Sequence, residues 1–447
     1  MKLYMVSLGC DKNRVDSEKM LGILEARGFV LTDDENEAEA AVINTCCFID
    51  EAKEESIGEI LSLAKLKETA KLKVLVVAGC LAQRYREEIF AQMPEVDALV
   101  GTTALDMVAD AVLAALEGKR NAHILDESRT VEGNLRRVVS TGGHYAYLKI
   151  AEGCNKFCTY CVIPRIRGRY RSVPMEELLA EARTLAADGV TELILVAQET
   201  TVYGTDLYGE KRLHILLREL AKIPELIWIR VLYCYPEEIY PELLETMAAE
   251  PKICRYLDLP IQHASDSILR QMHRRTSRED LVRIIGALRK KMPDIVLRTT
   301  LIAGFPGETE EDHRENLEFV RQMRFDRLGV FTYSREDGTP AAKLPGQVHH
   351  ATKKRRRREL MELQQGISLA KGKLKVGQEM TVVVEGYLPE DGIYTARTRG
   401  DVPGVDGYLF FEPLMEHMSG DFVRVRVTGS SEYDLTGAEL KDPESAF

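Results

Sequence analysis

Residues 153–168 read GCNKFCTYCVIPRIRG, with Cys154, Cys158 and Cys161 in the spacing C-x-x-x-C-x-x-C. The stretch follows directly on a β-rich run at residues 145–151. Three thiolates in one short loop can bind three irons of an iron–sulfur cube and leave the fourth iron without a protein ligand. A small molecule with an amino and a carboxylate group can occupy that position, as S-adenosylmethionine does for reductive cleavage. The spacing therefore predicts a cluster with one open iron.

Two other interpretations fit these three cysteines taken alone. A zinc site needs a fourth ligand, which His144 or a distant cysteine would supply, although zinc ligands usually come as two pairs. Cys158 and Cys161 also form a C-x-x-C, the spacing of a dithiol redox pair. Such pairs do not carry a third cysteine four residues upstream. Tyr160, an aromatic residue just before the last cysteine, favours the cluster.

Around this loop, residues 144–373 alternate β-rich runs with helical intervals. The runs are residues 145–151, 192–198, 228–233, 256–262, 296–303 and 327–333. Six such units predict an incomplete (β/α)6 barrel of the TIM type. Ligands of these barrels bind at the carboxyl ends of the strands, so Gln198 and Arg298 are candidates to bind the cofactor. Gly304, in LIAGFPGE, would let the backbone approach it closely.

Residues 1–125 also alternate strands with helices and predict a Rossmann-like parallel α/β domain. Predicted strands at residues 3–8, 41–44 and 74–78 are followed by Cys10, Cys46 and Cys80, which are 36 and 34 residues apart. Because ligands bind outside the carboxyl ends of such strands, the three thiols are expected to meet in one crevice. The alternative is that they are buried core thiols.

The rest of the chain predicts a linker and a third domain. Residues 126–143 have little apolar periodicity and read as the linker. Residues 376–442 contain short β-rich runs separated by Gly, Pro and Asp, typical of a small antiparallel, OB-like barrel. Between them, residues 353–358 are all basic, within a helical pattern. That run is either a solvated helix face or a phosphate-binding segment.

The length of 447 residues suits two or three domains, and the net charge of −11 is unevenly distributed. Residues 376–447 hold five basic and fourteen acidic side chains, a net charge of −9, which leaves −2 for the rest. An acidic barrel disfavours nucleic acid, whose phosphates need Lys and Arg, and favours a basic protein partner. The alternative is a cap that only improves solubility. We find no signal peptide or long apolar run, so no membrane partner is expected and the location is expected to be cytoplasmic.

A family resemblance covers the whole chain. The strings LGCDKNRVDSE, INTCCFIDEA, AGCLAQRY, GCNKFCTYCVIPRIRGRYRS, AQETTVYGTD, PIQHAS and TTLIAGFPGETEED occur in this order. Together they resemble the radical S-adenosylmethionine methylthiotransferases, and the terminal barrel resembles their TRAM domain. LGCDKNRVDSE, AQETTVYGTD and PIQHAS are similar to the branch that modifies small-subunit ribosomal protein twelve, although Asp11 stands where proline is common. The alternative is the branch that modifies a tRNA adenosine, which usually reads GCQMNxxDSE, GQNVN and PVQSGS.

The resemblance implies a transferase that places a methylthio group on the β-carbon of an aspartate in that ribosomal protein. It implies two 4Fe-4S clusters, one on Cys154, Cys158 and Cys161 and an auxiliary one on Cys10, Cys46 and Cys80. It also implies two molecules of S-adenosylmethionine, one cleaved to a radical and one that donates its methyl group. The implied partners are the ribosomal protein, free or in the ribosome, and a flavodoxin- or ferredoxin-type electron donor. Tyr160, Gln198, Arg298 and Gly304 are the candidate contacts of S-adenosylmethionine, and Cys47, Cys234 and Cys254 match no ligand position.

Overall fold

The computed structural model describes residues 1–129 and 136–441. Residues 130–135 of the predicted linker, and residue 442 of the predicted terminal domain, lie outside the described residues. Two six-stranded sheets, a closed five-stranded barrel and a two-stranded ribbon form the architecture. Short 3-10 helices of the described residues lie at Glu35–Glu37, Leu105–Met107, Pro236–Glu238 and Ala341–Lys343.

The N-terminal domain is a parallel sheet with strand order β2-β1-β3-β4-β5-β6 and helices as connections. Its elements are β1 (Lys2–Ser7), α1 (Asp11–Ala26), β2 (Val30–Leu31), β3 (Ala40–Thr45), α2 (Asp50–Thr69), β4 (Val74–Gly79), α3 (Cys80–Gln92), β5 (Ala98–Val100), α4 (Val108–Leu116) and β6 (Asn121–His123). Every residue of β3 and β4 is buried, because helices cover both faces of the sheet. The three predicted strands are confirmed. The sheet also contains β2, β5 and β6, which at two or three residues are too short to show a periodic pattern.

The central barrel has six parallel strands in the order β14-β13-β12-β11-β10-β7, and its two end strands do not pair with each other. Its elements are β7 (Tyr145–Lys149), β8 (Ala151–Glu152), α5 (Ile163–Ile166), β9 (Arg171–Ser172), α6 (Met175–Ala187), β10 (Glu192–Val196), α7 (Leu213–Ala221), β11 (Trp228–Val231), α8 (Pro241–Ala249), β12 (Ile253–Asp258), α9 (Asp266–Gln271), α10 (Arg278–Lys291), β13 (Val296–Ala303), α11 (Glu310–Met323), β14 (Arg327–Thr332) and α12 (His350–Lys373). The antiparallel β8 and β9 form the ribbon. Capping boxes at Ser277/Asp280 and Thr309/Asp312 begin α10 and α11. The incomplete six-stranded barrel is therefore confirmed.

The terminal barrel closes in the order β15-β16-β17-β19-β18. Its strands are β15 (Glu379–Leu388), β16 (Ile393–Thr398), β17 (Leu409–Glu412), β18 (Phe422–Ser430) and β19 (Leu435–Glu439). The predicted small barrel is confirmed, with one refinement. β17 and β19 pair in parallel, whereas the other four pairs are antiparallel.

The terminal barrel packs against the residues that begin the central strands. Trp228, the first residue of β11, meets Phe422 edge-on at a centroid distance of 4.9 Å. Glu192, the first residue of β10, accepts a bond from Arg397 at 2.7 Å. The N-terminal domain instead contacts loops at the carboxyl ends, as in the ion pair of 2.9 Å between Arg84 and Glu336. The two flanking domains thus lie at opposite ends of the central strands.

The basic run in α12 is divided between solvent and protein. Arg356 is buried and donates to the carbonyl oxygen of Glu308 at 2.9 Å. Lys353 donates to the carbonyl oxygen of Tyr333 at 2.7 Å, and Arg357 to that of Val330 at 2.9 Å. These bonds dock α12 on the central barrel, so neither a wholly solvated face nor a free phosphate-binding segment describes the run.

The described part of the predicted linker after residue 135 packs on α1. The amide of Val138 donates to the carbonyl oxygen of Glu18 at 3.1 Å, and the amide of Ser140 donates to its carboxylate at 2.8 Å. Arg137 pairs with the same carboxylate. This segment therefore fastens the N-terminal domain to the central barrel.

Candidate functional site

The central cysteine loop lies between β8 and α5, just beyond the carboxyl end of β7. Cys154 and Cys158 are 7% and 5% exposed, and Cys161 is half-buried. Gly153 has φ +79°, and a Cβ on it would lie 2.2 Å from the carbonyl oxygen of Arg169, so only glycine fits there. Phe157 also has a positive φ, +51°. Strained backbone of this kind is concentrated at functional sites of proteins.

Burial and a neighbouring thiol raise the pKa values of Cys154 and Cys161. Burial raises the pKa of Cys154 to about 11, and the thiol of Cys158 adds to the effect. Burial, followed by the thiol of Cys158, also raises the pKa of Cys161. Iron binds thiolates and displaces their protons, so a metal relieves the repulsion that these groups would otherwise feel as anions. The donor set fits an iron–sulfur cluster.

The cysteines are not arranged around a single metal ion. Within residues 1–129 and 136–441, no three His, Cys, Asp or Glu side chains form a group that could hold one ion. In an iron–sulfur cube each thiolate binds a different iron, so the ligands do not have to converge on one point.

Three charged or phenolic side chains surround the central cysteine loop. The hydroxyl of Tyr235 lies 3.8 Å from Cys158 Sγ, and the Arg274 guanidinium lies 4.2 Å from the centre of the Tyr235 ring. Burial raises the pKa of Glu199 to about 7, and the nearest cation, Lys156, is 3.8 Å away. The Glu199 carboxyl group can therefore gain or lose a proton near neutral pH.

The N-terminal thiols follow three neighbouring strands of their sheet, in the order β1, β3 and β4. Cys10 is exposed, whereas Cys46 and Cys80 are buried. A Cβ on Gly9 would lie 2.7 Å from Cys46 Cβ, so glycine lets these two loops meet. Burial, followed by the thiols of Cys80 and Cys10, raises the pKa of Cys46 to about 12. The structure therefore brings the three predicted thiols into one region.

The remaining cysteines are core residues. Cys47, Cys234 and Cys254 are fully buried. Cys47 packs in the apolar cluster beneath α2 and α3, although it directly follows Cys46. That these three thiols are not cluster ligands stays a prediction.

Arg167 lies six residues after Cys161 and contacts Cys80 of the N-terminal cysteines. Its Nη2 donates to Cys80 Sγ at 3.4 Å, and its Nη1 bonds Asp16 at 2.7 Å and Glu152 at 2.9 Å. The other oxygen of Glu152 accepts from Gln198 at 2.7 Å. One buried guanidinium thus joins the N-terminal domain to ribbon strand β8 and, through Glu152, to the residue Gln198 that follows β10.

The four predicted cofactor contacts lie in four different environments. Gln198 lies in the Arg167 network, and its Oε1 has no hydrogen-bond partner among the described residues. Tyr160 packs beside the apolar group that includes Phe305 and Tyr333. Arg298 lies 3.2 Å from Asp258 and 3.6 Å from Asp406 of the terminal barrel. Gly304, at φ +78°, lies under Lys353, whose Cγ would be 2.3 Å from a Cβ at that position.

Sequence reasoning missed Arg167, Glu199 and Tyr233. Tyr233 follows β11, has φ +59°, and donates to Asp11 beside Cys10 at 3.0 Å. No spacing rule marks these residues, because their partners are distant in sequence. The quoted motif contains Arg167 but says nothing of its contact with Cys80.

A cavity of about 530 Å³ lies between α3 and the segment after Cys161, and none of its lining residues is a cysteine. Arg84 and Gln83 of α3 line one side, and Val162 and Arg165 line the other. None of the described helices is long and apolar enough to cross a membrane.

Three family models match successive parts of the chain. Residues 2–101 match "Uncharacterized protein family UPF0004", residues 148–320 match the Radical SAM superfamily and residues 376–439 match the TRAM domain. The matches fall in the N-terminal domain, the central barrel and the terminal barrel, in that order.

Curated relatives cover almost the whole chain. The proteins from Lachnoclostridium phytofermentans and Pelotomaculum thermopropionicum, both named "Ribosomal protein uS12 methylthiotransferase RimO", are 57% and 51% identical to it. Each alignment covers 98% of this chain and 99% of the relative.

Solved structures share the fold. The radical S-adenosylmethionine methyltransferase TsrM from Kitasatospora setae, with cobalamin and a [4Fe-4S] cluster bound, has a TM-score of 0.56 at 16% identity, covering 94% of this chain and 83% of that one. The cobalamin-dependent S-adenosylmethionine radical enzyme OxsB has a TM-score of 0.53 at 14% identity, covering 82% and 56%. At these identities the likeness concerns the fold alone.

Proposed function

This chain belongs to the ribosomal protein uS12 methylthiotransferase family, and we propose that its acceptor is an aspartate β-carbon of the small-subunit ribosomal protein uS12. It is a radical S-adenosylmethionine enzyme that transfers a methylthio group and uses S-adenosylmethionine and [4Fe-4S] clusters. The observation that carries the proposal is 57% identity to a relative of that name over 98% of the chain.

We assign one cluster to Cys154, Cys158 and Cys161 and the auxiliary cluster to Cys10, Cys46 and Cys80. The support is the soft donor set, the effect of neighbouring thiols on the pKa values of Cys46 and Cys161, and the contact of Arg167 with Cys80. When bound, the clusters and S-adenosylmethionine supply the reducing electron, the hydrogen-abstracting radical and the methylthio group. The protein's own groups hold and orient these components and exclude water.

Gln198 and Tyr160 remain the proposed contacts of S-adenosylmethionine. Gln198 donates to Glu152 and keeps a free carbonyl oxygen, which suits an ammonium group of the ligand. The same role for Arg298 and Gly304 requires that Asp406 and Lys353 move, since they cover these positions.

We assign substrate docking to the terminal barrel, because residues 376–447 carry a net charge of −9 that complements a basic ribosomal protein. Exposed Glu390, Asp391 and Glu416 contribute to that charge. The barrel packs at the opposite end of the central strands from the cysteine loop, so the substrate has to span the central domain. A five- or six-residue strand measures about 17–20 Å, a distance that an extended segment of the substrate can cover.

The electron donor proposed is a flavodoxin- or ferredoxin-type protein. Reductive cleavage needs a low-potential, one-electron donor, and proteins of these classes carry such electrons. A ribosomal protein substrate also places the reaction in the cytoplasm.

The experiment is anaerobic reconstitution of the full chain, followed by turnover with dithionite, S-adenosylmethionine and either purified uS12 or tRNA. We expect about eight irons per chain, as two four-iron cubes require. We expect uS12 to gain the mass of one methylthio group on an aspartate. Modification of tRNA with no change in uS12 would refute the proposed substrate, and about four irons would refute the two-cluster assignment.

A further inference from the structure

Lys12 lies two residues after Cys10, in the first turn of α1, and is 5% exposed. Its Nζ lies 3.1 Å from the centre of the Tyr233 ring, at the carboxyl end of β11. Tyr233 also contacts Asp11 and holds a positive φ. The ammonium group therefore lies where the auxiliary site faces the mouth of the central barrel.

None of the described carboxylates forms an ion pair with this ammonium. Burial raises the pKa of Asp258, and the charges of Arg298 and Lys12 partly oppose that rise. Among the described residues Lys12 has no ion pair and donates no side-chain hydrogen bond. The neighbouring carboxylates have other partners: Asp11 accepts from Tyr233 at 3.0 Å, and Asp258 pairs with Arg298 at 3.2 Å. The three donors of this largely buried ammonium find no acceptor among the described residues, and an aromatic face compensates only part of the cost of removing it from bulk water. Such a site is suited to an anionic ligand.

We propose that Lys12 binds the carboxylate of the substrate aspartate and so selects the acid over its neutral analogues. This inference rests on the proposed function. In aspartate the β-carbon is bonded directly to the carboxylate carbon. A cation that holds the carboxylate therefore fixes the reacting carbon beside Cys10, an assigned ligand of the auxiliary cluster. Lys12 is a specificity-determining residue in this role.

Other anions are less suited to this position. The carboxylate of S-adenosylmethionine belongs at the open iron of the other cluster, on the loop of Cys154, Cys158 and Cys161. If Lys12 bound a sulfur anion of the auxiliary cluster instead, replacing the substrate aspartate would not change the affinity through Lys12. The test below therefore distinguishes a sulfur anion from the substrate carboxylate.

The test compares uS12 with a uS12 variant whose target aspartate is replaced by asparagine. Binding of each fluorescently labelled protein to the holoenzyme is measured by anisotropy, anaerobically, with S-adenosylmethionine and without reductant. A charge-assisted bond contributes about one to two powers of ten in affinity. We expect wild-type enzyme to bind the aspartate form about 10- to 100-fold more tightly.

The same two substrates are then compared with three enzyme variants. Lys12→Met should lose the preference for aspartate, and Lys12→Arg should keep most of it. Lys19→Met, on the same helix but paired with Glu181 at 3.6 Å, is the matched control and should keep all of it.

Equal binding of the two substrates by wild-type enzyme overturns the inference without any enzyme variant, even if Lys12→Met fails to fold. A preference that persists in Lys12→Met overturns it as well. Failure of the proposed function is a different result, because wild-type enzyme would then add no methylthio group to uS12 during turnover.

Discussion

Replacement of Arg167 by methionine is expected to make the auxiliary cluster harder to reduce. Arg167 Nη2 lies 3.4 Å from Cys80 Sγ and is buried, so its positive charge acts through little solvent. Reduction adds negative charge to a cluster, and a nearby cation favours the reduced state. Methionine keeps an unbranched apolar side chain but removes the charge and the donors.

The size of the shift follows from the hydrogen bond that is lost. A bond to a charged group contributes about 1.5–3 kcal/mol, and 1.4 kcal/mol corresponds to about 59 mV for one electron. The added electron is spread over the whole cluster, so we expect only part of this range, about 50–100 mV toward more negative potential. Lys149, which bonds Asp16 and Glu152, remains to neutralise the carboxylates that Arg167 leaves.

The assay is a redox titration followed by electron paramagnetic resonance. Cys154, Cys158 and Cys161 are replaced by alanine in every sample, so that only the auxiliary cluster contributes to the signal. Arg84→Met is the control, because Arg84 bonds the carbonyl oxygen of Cys47 at 3.1 Å and no assigned ligand sulfur. An unchanged potential, or an equal shift in the control, would refute the role given to Arg167.

Four further outcomes are expected. Alanine at all three N-terminal cysteines, Cys10, Cys46 and Cys80, should remove about half of the iron and all methylthiolation. The variant should still cleave S-adenosylmethionine, and loss of cleavage would contradict the division of the six ligands between two clusters. Because burial raises the pKa of Glu199 from 4.5 to about 7, its ionisation destabilises the fold as pH rises through that interval. Glu199→Gln should therefore gain stability relative to wild type by up to about 3 kcal/mol between pH 4.5 and 8, checked by urea unfolding of cluster-free protein; a constant difference would contradict this. Glu192→Gln should weaken docking of the terminal barrel by about 3 kcal/mol, since it leaves Arg230 and Arg397 without their shared carboxylate. Trp228, the single tryptophan, reports that loss by fluorescence because it packs on Phe422, and unchanged unfolding would exclude the role. Charge reversal of Glu390, Asp391 and Glu416 to lysine should raise KM for uS12 several-fold at low salt and leave kcat unchanged, whereas a fall in kcat alone would contradict a docking role.

Much of the fold could be predicted from the sequence because its signals are local. The alternation of apolar runs and helical intervals gave the central barrel with nearly correct strand limits, and residues 296–303 match β13 residue for residue. Short strands escaped detection: β5 has three residues and no pattern of its own. The parallel pairing of β17 with β19 also depends on chain crossings that composition does not express.

The cysteines of the candidate site could be predicted from local patterns, but the neighbours of its other residues could not. The spacing of Cys154, Cys158 and Cys161 identifies cluster chemistry because one loop must supply all three ligands. The positions of Cys10, Cys46 and Cys80 after successive strands were informative for a topological reason, since neighbouring parallel strands end at one edge of a sheet. Arg298 and Gly304 show the limit, because strand position alone did not reveal that Asp406 and Lys353 lie against them.

The sequence by itself therefore determined the cysteine loop, the order of the three domains and the acidity of the terminal one, all of which are properties of neighbouring residues. Only the tertiary structure decided that Arg167 joins Cys80 to Glu152 and that the terminal barrel packs at the end opposite the cysteine loop. It also decided that Lys12 lies over Tyr233 and has no ion pair among the described residues. The physical reason is the sequence separation of the residues that interact. Strand and loop patterns arise from contacts over a few residues, whereas ion pairs and domain packing depend on which distant surfaces burial brings together.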